Sequence, residues 1–424
     1  MSARFALADR LTSKTGRPRW WVAGLSLFVG LAVLVGLGLA GKSDSYQADV
    51  SRPETPTARS GAAAGSVRDL VVALETGDTV DAADLAPATD EDAREQLAAA
   101  AANARALDLV ELTARYVDEV GAIGQDGSWT AAVALTWAIS GFDQEPARAE
   151  VLVGFTTEGD RVAITGLGGG DRITPLWLAE RLTVRRTGVA LVMAAGEGAE
   201  LEARDYLQRV RRAIPVVRRV LPTWRPSVVV EVPASAVDLD SALDVPEGTY
   251  AAIAAVTAPA DGSGRSDAPV RVFVNPEVTG RLRGAGAQVV IRHELVHVAT
   301  DASDAVIDPW LLEGFADYVA LRDVDLPLSV IAARALASVR RGGVPDRLPG
   351  TAEFDVAADD LEATYELAWL ACVEVAEQVG EQGLVRVYTL ASDGASTRDA
   401  LAVVGLSTRQ VLAAWQRRLR VLSS

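Results

Sequence analysis

The chain has two histidines in 424 residues, and both fall within His293-Glu294-Leu295-Val296-His297. Residues four apart share a face on a helix, so this spacing lets both imidazoles reach one metal ion. Glu294 projects beside them, where a carboxylate can take a proton from a water that the metal activates. That H-E-x-x-H order is the arrangement of zinc-dependent hydrolysis, and the expected cofactor is Zn2+. The competing reading is a pair of ordinary helical histidines.

Zinc in a hydrolytic site takes three protein ligands and keeps one position open. No third histidine exists, so the third ligand must be a carboxylate. Glu313 is the best placed. Asp308 and Pro309 have the residue types of an N-cap and a first helical position, which puts Glu313 on a helix within the apolar stretch PWLLEGFADYVAL. An acid there needs a reason, and ligation supplies one. Asp301, Asp304 and Asp308 are competing ligands, and a solvated charge is the competing reading of Glu313. Asp317 lies one turn further along the same face, where it can accept the spare N–H of a ligand histidine and fix its tautomer. Arg292 points away from His293 and takes no role.

With these residues in place, the sequence resembles the gluzincin metallopeptidases, specifically the peptidase-MA-like families. Their pattern is H-E-x-x-H, a short insert, then W-L-x-E-G-x-A-x-Y. His293, Glu294, His297, Trp310, Leu311, Glu313, Gly314, Ala316 and Tyr318 match it. The spacing of Glu313 and Asp317 also resembles the thermolysin-like arrangement, in which the aspartate orients a ligand histidine. The resemblance covers about residues 185–424 and leaves out the first 180. It implies Tyr365 as a second catalytic residue, holding the oxyanion of a tetrahedral intermediate; a half-buried packing tyrosine is the alternative.

The implied activity is hydrolysis of a peptide bond in a peptide or protein substrate. Zinc lowers the pKa of its water from 15.7 to about 7. Glu294 takes the water's proton and then delivers it to the leaving amine. The strand VRVFVN is the expected cleft edge, pairing with an extended peptide. The alternative function is a non-catalytic extracytoplasmic binding or scaffold protein that retains a zinc site.

The elements that must position these residues follow from the rest of the chain. A formal net charge of −16 argues against a nucleic-acid partner, which would need a basic face. The single Cys372 lies in an apolar helical run and reads as a core thiol. Residues 20–41 are uncharged up to Ala40 and long enough to cross a bilayer as one helix. Basic residues before this run predict a cytoplasmic tail over 1–19 and a catalytic domain outside the cell membrane. A cleaved signal peptide is the alternative. Residues 42–65 read as a flexible linker. Helices, then a meander of strands, predict a small α+β domain over 66–183, similar in order to the nuclear transport factor 2-like fold. Residues 184–424 predict a second α+β unit, zincin-like, with a sheet followed by helices and the metal motif on an early helix. The oligomeric state is not encoded in any pattern found.

Overall fold

The computed structural model describes residues 58–282, 284–301, 306–356 and 358–424. Its first part opens with α1 (Ser60–Thr76), α2 (Thr79–Ala83) and α3 (Glu91–Leu107). Asp90 caps α3 by accepting from the Ala93 amide, and the alanines of its centre allow close approach to the sheet. Four strands follow: β1 (Leu109–Val120), β2 (Trp129–Ile139), β3 (Ala147–Glu158) and β4 (Arg161–Leu167). They pair in sequence order as an antiparallel meander. The helices cover one face through Val67, Leu70, Leu97 and Leu107, against Trp129, Val133 and Phe155. Gly168, Gly169 and Gly170 leave the meander with positive φ at all three positions. Such a run suits glycine and makes a connector.

After α4 (Leu176–Ala179) come β5 (Thr183–Arg186), β6 (Ala190–Ala194), α5 (Ala199–Val220), β7 (Val228–Val232), α6 (Ala236–Ala242), β8 (Ala255–Pro259) and β9 (Val270–Val274). The sheet order is β5-β6-β7-β9-β8. Strands β6, β7 and β9 run parallel, and the two outer strands are antiparallel to their neighbours. Helices complete the chain: α7 (Pro276–Thr279), α8 (Gly284–Thr300), α9 (Pro309–Leu321), α10 (Leu328–Ile331), α11 (Ala333–Gly342), α12 (Leu361–Ser392), α13 (Thr397–Val403) and α14 (Thr408–Ser423). Helix α12 breaks its geometry at Gly380, φ 78°.

The five-stranded sheet is buried on both faces, which is why β6 reads as an unbroken apolar run and β7 as one broken only by Glu231. Ala190, Val192 and Ala194 face α5 and the helical layer that carries the metal motif. Leu191, Met193 and Val229 face the other way, into the core of the first part. A buried ion cluster lies at that junction. Arg271 of β9 donates to Asp143 at 2.6 Å and lies 3.7 Å from Glu231, whose carboxyl burial pushes up to about 7.

Four expectations are corrected. The expected fold class included a membrane-spanning helix, but among the described residues no helix is long and apolar enough to cross a membrane. The stretch 20–41 lies outside the described residues. The fold that stands is α+β, with one antiparallel and one mixed sheet. The linker expected over 42–65 overruns α1, which starts at Ser60 because Ala63 is buried and Ser66 donates to the Val162 carbonyl at 2.7 Å. The sequence over 250–257 alternates as a strand would, but β8 begins only at Ala255. The segment VRVFVN is not the sheet edge: β9 is flanked by β7 and β8, and β8 takes the outer position.

Candidate metal centre

Helix α8 packs against the sheet through Val290, Ile291, Leu295 and Val296. That packing fixes its rotation and presents His293, Glu294 and His297 toward α9 and the edge strand β8. Helix α9 has Pro309 at its start, with Asp308 in the cap position, although the Asp308 side chain makes no capping hydrogen bond. One face of α9 carries Glu313 and Asp317 to the histidines. All five side chains are at most 4% exposed.

The contacts converge. His293 Nδ1 is 2.9 Å from Asp317 Oδ1. His293 Nε2 is 3.2 Å from Glu313 Oε2, His297 Nε2 is 3.6 Å from the same oxygen, and the two Nε2 atoms are 3.0 Å apart. With Asp317 accepting the Nδ1 proton, His293 turns a lone pair toward Glu313 and His297. Buried lone pairs that face one another repel unless a cation or proton lies among them. A tetrahedral site with bonds of about 2.0–2.1 Å sets its ligand atoms about 3.3–3.4 Å apart, and the three separations here straddle that value. Among the described residues, His293, His297 and Glu313 form the group that could hold a metal ion. The donor set and its spacing therefore fit a metal. Asp301 and Asp308 lie outside the cluster, and Asp304 lies outside the described residues.

The electrostatics of the cluster agree. Burial alone would lower the His293 pKa, but Asp317 and Glu313 outweigh it and raise it to about 10. Burial opposes ionisation of Glu313 too, yet the neighbouring imidazoles, His297 first, bring it down to about 2. Both shifts favour positive charge at the point where the imidazoles and the Glu313 carboxylate meet. Burial raises Glu294 above the ordinary carboxylate range, and Asp317 likewise.

Glu294 is held from the opposite side. Thr257 of β8 donates from Oγ1 to Glu294 Oε2 at 2.7 Å. Glu294 Oε1 and His297 Nδ1 are buried with no hydrogen-bond partner among the described residues. Tyr365 of α12 is buried, and its ring stands edge-on to His293 with centroids 6.1 Å apart. It also lines a cavity of about 360 Å³ with Ile253, Arg334, Val356 and Leu361. The structure thus brings together His293, Glu294, His297, Glu313 and Asp317, with Tyr365 beside them.

Sequence reasoning missed two residues. Thr257 carries no motif; it is one position in a short strand. Gly314 was matched as a letter of a pattern, but its reason is steric. A Cβ there would meet the Ala368 carbonyl oxygen at 2.4 Å, its carbon at 2.7 Å and Cys372 Sγ at 2.9 Å. Glycine lets α9 lie against the backbone of α12. Cys372 is a buried core thiol at that contact, as its apolar setting predicts.

No protein-family model matches the chain, and no curated protein matches it either.

Proposed function

We propose that this chain is a zinc metallopeptidase of gluzincin type that hydrolyses peptide bonds in peptide or protein substrates. The observation that carries this reading is Glu294. Its Oε1 is buried and unpartnered among the described residues, next in sequence to a histidine of the candidate ligand set. A metal site that only braces a fold needs its ligands but has no use for that carboxylate, whose burial is unfavourable. The competing reading, a non-catalytic binding protein with a retained metal site, leaves Glu294 unexplained.

His293, His297 and Glu313 would hold the ion. Zinc bound there supplies Lewis acidity, which activates a water near neutral pH and polarises the carbonyl it attacks. Glu294 accepts the water's proton at Oε1 and passes it to the leaving amine. A carboxyl raised above its ordinary pKa suits both halves of that transfer. Asp317 holds the His293 ring and its tautomer. Tyr365, on the cavity wall, is the candidate donor to the developing oxyanion.

Metal analysis of the purified protein tests the site, and cleavage of a broad peptide library with and without chelator tests the activity. Zinc retained with no cleavage anywhere in the library would favour the scaffold reading.

A further inference from the structure

A carboxylate that shuttles a proton needs one oxygen held and the other free, because the last torsion of a glutamate is broad and has no sharp staggered wells of its own. Here one protein hydroxyl meets that need. Thr257 is 3% exposed. Its backbone is fixed in the ladder opposite Val272. Its Oγ1 lies 2.7 Å from Glu294 Oε2 and 3.3 Å from the Glu294 carbonyl oxygen. The other carboxylate oxygen, Oε1, is buried and has no partner among the described residues.

The geometry points to Thr257 as the positioning residue of Glu294: its hydroxyl pins Oε2 and so dedicates Oε1 to the proton of the attacking water. This rests on the peptidase reading, since it assigns a task to the base of that reaction. Thr257 is not one of the candidate ligands. It acts through the carboxylate it holds. Its place on the outer strand ties the sheet edge to the base.

Thr257→Val keeps the β-branched shape that a strand favours and removes only the hydroxyl. Thr257→Ser keeps the hydroxyl. The expected result for Thr257→Val is a kcat reduced by about 10–100-fold, of the size that misplacing a reacting group produces. Its KM should stay within about threefold of the parent and its metal content should not change. Thr257→Ser should return to within about threefold of the parent. A readout independent of turnover is the crystal structure of each metal-loaded variant. The Glu294 carboxylate should turn away from the parent orientation in Thr257→Val and keep it in Thr257→Ser. If Thr257→Val does not fold, Thr257→Ala takes its place in both measurements. Parent-like turnover without the hydroxyl overturns the assignment. So does an unmoved carboxylate, or a loss of kcat that follows metal loss and is not repaired by serine. If the parent cleaves no peptide, the peptidase reading fails by itself. The orientation of Glu294 in the two crystal structures then decides the role of Thr257 alone.

Discussion

Replacing Gly314 by alanine adds one methyl group at the contact between α9 and α12. The new Cβ would lie 2.4 Å from the Ala368 carbonyl oxygen, and an ordinary contact begins at 3.4 Å. The helices must therefore separate by about 1 Å. Ala368 offers backbone, so no side-chain rotation relieves the clash. Overpacking of this kind costs about 1–3 kcal/mol. In a domain of this size each kcal/mol moves the melting temperature by about 2–4 °C, so a fall of about 4–8 °C is expected for a loss of about 2 kcal/mol. The larger effect should be on the site. Glu313 precedes Gly314 and moves with it, and a misplacement of about 1 Å can cost about 100-fold. Metal affinity and turnover should therefore fall far more than stability does. Calorimetry with competitive metal titration reads both. Adding Cys372→Ala removes the sulfur contact at 2.9 Å but leaves the carbonyl contact, so the double variant should not recover. A Gly314→Ala protein with the parent melting temperature and parent metal affinity would refute the close-packing account.

Asp317→Ala should weaken metal affinity or turnover by about 10–100-fold while the domain stays folded, as loss of a partner to a ligand histidine usually does; unchanged values in a competition assay would remove Asp317 from the site. Metal binding should strengthen with pH. Asp317 and Glu313 raise the His293 pKa to about 10 and a metal must displace the proton held there, so apparent affinity should weaken about tenfold for each pH unit below that value. In the metal-free protein the same proton stabilises the fold fully below the unfolded value of about 6.5, and that contribution is lost as pH rises through about 10. A pH-independent metal titration would contradict both statements. Residues 184–424 expressed alone should aggregate or melt well below the full chain. Leu191, Met193 and Val229 would lose their cover, and each large apolar side chain is worth about 1.5–3 kcal/mol on burial. A monomeric fragment with the parent melting temperature would show that the two cores are independent.

Much of the local structure was legible because it is periodic. Helix α5 buries Ala203, Tyr206, Val210, Ala213 and Val217 at helical spacing, and Ser407 with Gln410 forms the capping box that opens α14. The two histidines were legible because their count leaves no other pair. What escaped depends on contacts between distant segments. Thr257 and Glu294 are 37 residues apart, and nothing in a five-residue strand marks one threonine as a partner. The outer place of β8 follows from the sheet order, which apolar patterning does not encode. The shared core was invisible for a related reason. A strand buried on both faces reads as uniformly apolar and does not say what covers the second face. Gly314 stood in the matched pattern, but only the position of α12 shows why no other residue fits.

The central claim is that this cluster holds one metal and that Glu294 acts on water beside it. Its most direct test compares the parent with Glu294→Gln in one experiment that reads metal content and peptide cleavage together. The amide keeps the size and the helix but cannot take the water's proton. The account predicts one zinc per chain in both proteins and a rate reduced in the variant by about 10⁴ or more, since the same group serves as base and acid. Equal cleavage by both proteins at equal zinc content would contradict it.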